Sequence, residues 1–193
     1  MAAAMRPMLA LVAAAVVVAV PAARGAGAAP SALVVGDSLA AGTRSYLPAY
    51  VPGWRLQFSA RVGAHTAQGV RLVQALGSSL PPYLVVSLGT NDDPRKLTGF
   101  RTAVRTVLTA AGAGRCVVWL NIARPATGGT TYAGYNRALA LEAGAHANLR
   151  VVDWQRMVRR NPVWLRRDRV HVTADGYRAR AAAIAHALGD CPH

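Results

Sequence analysis

The chain has 193 residues, enough for one compact domain with a full core and too few for a second. Its formal net charge is +14, carried almost entirely by arginine, with Lys96 as the one lysine. The arginines are scattered and no stretch interleaves them with aromatic residues. The charge is therefore read as a compositional bias, and nucleic acid is excluded as a partner.

The first residues read as an export signal. Arg6 gives a positive start, and Met8 to Val20 is an apolar run too short to span a bilayer comfortably. Ala26-Gly27-Ala28 offers an A-x-A cleavage site, with cleavage after Ala22 as the alternative. Residues 1–28 are assigned to a signal peptide and 29–193 to a single domain, with the mature chain beginning between Ala23 and Pro30. No cysteine lies at the junction to take a lipid, so the expectation is a secreted or envelope-associated monomer without stable membrane insertion. In an exported chain, Cys116 and Cys191 invite a disulfide, with two unrelated thiols as the alternative.

Past a Gly/Ala/Pro linker, strands and helices alternate. Ala32 to Val35 is a first strand, short, apolar and β-branched, and Leu39 to Tyr50 a helix weakened by Pro48. Arg55 to Ser59 is a second strand, and Thr66 to Leu76 a helix closed by Gly77. Tyr83 to Leu88 is a continuous apolar run, as expected of a strand buried on both faces. Phe100, Val104, Val107, Leu108 and Ala111 form one helical stripe before strand four, Cys116 to Ile122. Tyr132, Tyr135, Leu139, Ala140 and Ala143 mark another helix, and Leu149 to Val152 a fifth strand. The last helix carries Tyr177, Ala181, Ile184 and Leu188, with Thr173 as N-cap and Gly189 as stop.

This alternation predicts an α/β fold of three layers, a doubly wound five-stranded parallel sheet of flavodoxin-like order 2-1-3-4-5. Chemistry then belongs just beyond the carboxyl ends of the strands, and four short blocks fall there. Gly36-Asp37-Ser38-Leu39 follows strand one, placing a serine at the amino end of a helix. Val62-Gly63-Ala64 follows strand two, where a glycine lets a backbone N–H approach a ligand. Gly89-Thr90-Asn91-Asp92 follows strand three, and Asn91 can aim its amide at a developing oxyanion or simply close an Asx turn. Asp168-Arg169-Val170-His171 lies beyond strand five, a spacing that lets the carboxylate reach Nδ1 and leaves Nε2 for a serine proton. A histidine capping a helix near Thr173 is the alternative. The other histidines have no comparable partner in the sequence, although His65 lies close enough to Gly63 to reach the site.

These four blocks, in this order, resemble those of the SGNH, or GDSL-type, esterases and lipases, and the resemblance spans roughly Ala32 to Leu188. It implies Ser38 as nucleophile, His171 as base and Asp168 as the orienting carboxylate. It also implies an oxyanion hole of the Ser38 and Gly63 amides with the Asn91 side chain. The segment Ala64-His65-Thr66 departs from the small polar run often found after the glycine. No cofactor and no metal are implied, and the sequence contains neither a HExxH motif nor a P-loop. The expected substrate is a small ester or an acylated glycan or lipid, with short acyl chains preferred because no insertion supplies apolar walls. An acyltransferase acting on a sugar hydroxyl and a non-catalytic carbohydrate-binding module are the rival readings. Of the four tryptophans, Trp164 is placed best to line a cleft, the rest being read as packing. A final helix that starts at His171 and runs back across the sheet would bring Cys191 to the edge where strand four begins with Cys116.

Overall fold

A computed structural model describes residues 28–191. The cleavage-site reading, apart from Ala28, and the terminal His193 lie outside the described residues. Five strands form one parallel sheet in the order β2-β1-β3-β4-β5. They are β1 (Ser31–Gly36), β2 (Arg55–Ala60), β3 (Tyr83–Ser87), β4 (Cys116–Leu120) and β5 (Leu149–Val152). The helices are α1 (Ser38–Thr43), α2 (Thr66–Leu76), α3 (Leu97–Ala111), α4 (Ala133–Ala145), α5 (Trp154–Arg160) and α6 (Ala174–Gly189). The α/β expectation and the strand order both hold.

The three layers follow from the two-residue period of the central strands. Leu33, Val35, Leu84, Val86, Val117 and Trp119 face one side, where α2, α3 and α4 cover them. Val34, Val85, Val118 and Leu120 face the other, against α1, α5 and α6. The α3 stripe read from the sequence is the buried stripe: Phe100, Val104, Val107, Leu108 and Ala111 are all at most 4 % exposed. Edge strand β2, by contrast, alternates between exposed and half-buried residues.

Cys116 and Cys191 are bonded, with Cα atoms 5.8 Å apart. Thr173 caps α6, its hydroxyl accepting from the Gly176 amide. The helix therefore starts beside His171 at the carboxyl end of the sheet and finishes at the amino end of β4.

Two points need correction. The helix expected over Leu39 to Tyr50 stops at Thr43, and a separate 3₁₀ turn, Leu47–Ala49, holds Pro48 in its first positions. Proline has no N–H to continue an α-helical ladder, which keeps the helix from running on to Tyr50. Helix α5 was not expected. It is only 7 residues long, too short for a visible stripe, but Asp153 caps it by accepting from the Arg156 amide. Trp164, expected to line a cleft, follows in the 3₁₀ turn Pro162–Trp164. It is half-buried and stacks on the buried Trp154 at 6.1 Å with ring planes 7° apart.

Among the described residues, no helix is long and apolar enough to cross a membrane.

Candidate active site

Ser38 stands where strand geometry hands over to a helix. Strand β1 ends at Gly36, where an added Cβ would fall 2.8 Å from the Ser87 carbonyl and 2.3 Å from the Ala40 Cβ, so only glycine fits. Asp37 then caps α1, its Oδ1 accepting from the Leu39 amide at 2.9 Å, while its own amide donates to the Ser87 carbonyl at 3.1 Å. Ser38 is thus the first residue of α1, half-buried and pinned on both sides.

The loop after β5 and α5 reaches the same place from 133 residues away. His171 Nε2 lies 2.9 Å from Ser38 Oγ, and His171 Nδ1 lies 2.7 Å from Asp168 Oδ2. The other carboxylate oxygen of Asp168 accepts from the amides of Val170 and His171 at 3.0 and 2.9 Å. One side chain therefore shapes the loop backbone with one oxygen and orients the ring with the other. The hydrogen bonds from His171 and from the Val170 amide hold the Asp168 carboxyl down at about 2. It stays ionised at neutral pH, so a ring N–H at Nδ1 is favoured and Nε2 is left able to accept the serine proton.

Asn91 is the third group at this end of the sheet. Its Nδ2 donates to the Ala64 carbonyl at 3.1 Å. An amide nitrogen carries two hydrogens, so this bond fixes the side chain and leaves one donor. The bond also ties the loop after β3 to the loop after β2. In that second loop Gly63 has φ +73°, a left-handed conformation stabilised by the Ala64 amide donating back to the Arg61 carbonyl at 3.0 Å. An added Cβ at Gly63 would meet nothing within 4 Å, so backbone conformation is what requires the glycine.

The structure brings Ser38, Asp168 and His171 into one hydrogen-bonded chain. Gly63 is exposed and joins the site only through the Asn91–Ala64 bond of its neighbour. The expectation that the other histidines lack comparable partners is corrected. His65 Nδ1 lies 2.9 Å from Asp92 Oδ1, His186 Nδ1 2.9 Å from Asp190, and His146 Nε2 3.4 Å from Glu142. What sets His171 apart is the serine on its far nitrogen.

Several supporting residues went unread in the sequence. Asp92 accepts from the Thr66 amide as well as meeting His65, bolting the β3 loop to the start of α2. Tyr132 Oη lies 3.0 Å from the Asp92 carbonyl and 3.2 Å from that of Thr90, and Tyr135 donates to the Asp93 carbonyl at 2.6 Å. Burial pushes the Tyr135 phenol up, so it remains a donor. Arg124 Nη1 donates to the Thr90 carbonyl. Both tyrosines read as ordinary members of an apolar stripe, and nothing in that spacing signals hydroxyls that grip a distant loop.

No family model matches the sequence, and no curated protein matches it. Solved structures do resemble the fold. The C-terminal catalytic domain of a Streptococcus pneumoniae peptidoglycan O-acetyltransferase superposes with TM-score 0.65 at 20% identity, covering 86% of this chain and 93% of that one. A member of the lipolytic protein G-D-S-L family from Veillonella parvula gives 0.63 at 16%, over 83% and 97%. A family 3 carbohydrate esterase from Clostridium thermocellum gives 0.63 at 15%, over 84% and 94%. The chain has the fold of the SGNH/GDSL hydrolases.

Proposed function

We propose that this chain is a serine ester hydrolase of the SGNH/GDSL family, exported from the cell, working through an acyl-Ser38 intermediate. The observation that carries the reading is the unbroken relay from Ser38 Oγ through the His171 ring to Asp168, with contacts of 2.9 and 2.7 Å. His171 Nε2 takes the proton as Oγ attacks the ester carbonyl, and the tetrahedral intermediate carries its charge on the former carbonyl oxygen. Asn91 Nδ2, with the amides of Ser38 and Gly63, would stabilise that charge, and a well-placed donor of this kind is worth about 3–4 kcal/mol. His171 then protonates the departing alcohol, and water activated by the same ring releases the acid. Fold neighbours that include a carbohydrate esterase support this reading. The disulfide and the short apolar run of the leader support export.

The likeness to a peptidoglycan O-acetyltransferase favours one second reading, transfer of the acyl group from Ser38 to a sugar hydroxyl. Both begin with the same acyl-enzyme. Hydrolysis of p-nitrophenyl acetate by the wild type, and its loss in Ser38→Ala with an unchanged circular dichroism spectrum, tests the shared step. Normal turnover by Ser38→Ala would end both readings. Product analysis with an added polyol separates them, because only a transferase acetylates the polyol in place of water.

A further inference from the structure

Beside the loop that carries Asp168 and His171 lies a small cavity of about 160 Å³, between the chain leaving β4 and helix α5. Three arginines line it: Arg124, Arg159 and Arg169. Its remaining lining is Gln155 and apolar or small residues, with no carboxylate to neutralise the cluster. Asp168, the nearest acidic residue in sequence, is committed to His171 and to two backbone amides. The carboxylates that pair with arginine lie elsewhere: Asp93 with Arg95, Glu142 with Arg105, Asp175 with Arg178. Among the described residues the side chains of Arg159 and Arg169 make no hydrogen bond or ion pair, so the cavity presents positive charge without a protein counter-charge and favours an anion.

The backbone adds a second, independent sign. Arg169 has φ +56° and is the one non-glycine residue among those described in the left-handed region, which side chains with a Cβ avoid. Glycine or asparagine would take that position at lower cost, yet an arginine stands there. The loop holds it in place: the Arg169 amide donates to the Arg166 carbonyl, and the next two amides bond to Asp168. Arg124 is fixed in turn by its bond to Thr90, next to Asn91. The cavity is therefore walled by the loop with the candidate base and tied, through Arg124, to the loop with the candidate oxyanion donor.

We infer that this cavity binds an anionic group, a single carboxylate or phosphate, carried on the alcohol part of the ester. The inference rests on the acyl-serine reading above. The leaving oxygen must face His171 Nε2 to be protonated, so whatever is attached to it emerges beside the 165–172 loop, where Leu165 and Arg169 form one wall. The volume admits one such group and not an extended chain.

The test uses three acetyl esters of similar shape, each rate divided by its spontaneous hydrolysis rate. They are 4-acetoxybenzoate, 4-acetoxyphenyl phosphate and the neutral 4-acetoxybenzamide. The wild type is expected to favour an anionic ester over the neutral one by about tenfold or more in kcat/KM at low salt. The larger of the two anionic preferences distinguishes carboxylate from phosphate. The preference should shrink in 1 M NaCl and fall toward one in Arg159→Gln and in Arg169→Gly, where glycine accepts the backbone. Arg137→Gln, on the exposed face of α4, should keep the wild-type ratio. Equal use of anionic and neutral esters by the wild type would overturn the inference and leave the esterase reading standing. A preference that survives in both arginine variants would overturn it too. Failure to hydrolyse any of the three would remove the acyl-serine reading beneath it.

Discussion

Beneath Ser38 two opposite charges are buried, and removing either should be more harmful than removing both. Asp37 is 0 % exposed and Arg180, on α6, is 2 % exposed. Burial pushes the Asp37 carboxyl up, opposed by the Arg180 charge and by the Leu39 amide, and burial brings Arg180 down to about 10. Arg180 Nη2 donates to Ser87 Oγ at 2.7 Å and its guanidinium lies 4.8 Å from the Trp154 ring centre, but Nε and Nη1 have no partner. Asp37→Asn keeps the α1 cap, since asparagine caps as well as aspartate, and leaves an uncompensated buried cation. Arg180→Met keeps the bulk and leaves an uncompensated carboxylate. The two make no direct ion pair, so each change should destabilise by less than the about 3–5 kcal/mol lost when one member of a contacting buried pair is removed. The double variant should cost less than their sum, the shortfall being the coupling between the two buried charges. The pH dependence has a definite sign. Without Arg180, the folded carboxyl holds its proton more tightly than the unfolded one, whose value is 3.8. Stability then falls as pH rises from 3.8 through the raised folded value, so Arg180→Met should regain stability toward pH 4 relative to wild type. Urea denaturation of the four proteins at pH 4.5 and pH 8 measures all of this (about 1–3 kcal/mol per molar being the usual slope). Additive losses, or an Arg180→Met deficit independent of pH, would show that the two charges do not compensate each other.

Asn91→Ala should lower kcat by about 10²–10³-fold with little change in KM, because its spare N–H strengthens its contact only as the oxyanion forms; a change confined to KM would deny it that role. Asp168→Asn should lower kcat by disturbing the ring tautomer, and since its hydrogen bonds hold the Asp168 carboxyl down at about 2, a wild-type activity limb near neutral pH is expected to belong to another group. Replacing both Cys116 and Cys191 by alanine should reduce unfolding free energy by about 2–4 kcal/mol, because the bond closes a separation of 75 residues; an unchanged denaturation midpoint would refute that. Across a p-nitrophenyl ester series, acetyl should be turned over with higher kcat/KM than palmitoyl, and the reverse order would reveal apolar walls for a long chain.

What the sequence disclosed and what it withheld divide along a physical line. Strands β1, β3 and β4 are buried on both faces, so their apolar runs are continuous and legible, and α3 carries its stripe on one face. Ser38 and the Asp168-x-x-His171 spacing stood out because their chemistry is local or sits at strand ends. The supports were hidden because each joins residues distant in sequence: Tyr135 to Asp93 across 42 positions, Arg180 to Ser87 across 93. A tyrosine in an apolar stripe and an arginine in an alanine-rich helix look like packing and solubility until the fold shows what their polar ends meet. Helix α5 was missed for a different reason. At 7 residues it completes barely two turns, too few for periodicity to register, and only its Asp153 cap marked it.

Helix α6 connects these observations. The contact of His171 with Ser38 spans 133 residues and is made by a loop whose key side chains are 40 and 50 % exposed. Such a loop has too little buried surface to hold a 2.9 Å hydrogen bond by itself. The helix that follows it is secured at three heights. Thr173 caps its start, Arg180 binds Ser87 at its middle, and Cys191 is bonded to β4 at its end. Ser87 is also the residue whose carbonyl accepts the Asp37 amide, so the same point of β3 fixes the turn into Ser38 and the helix behind the candidate base. Ser38 and His171 are thus held at a set distance through one shared anchor in the sheet, with the disulfide fastening the opposite end. The exposed loop between them has only to present the ring, and Asp168 alone is enough to orient it.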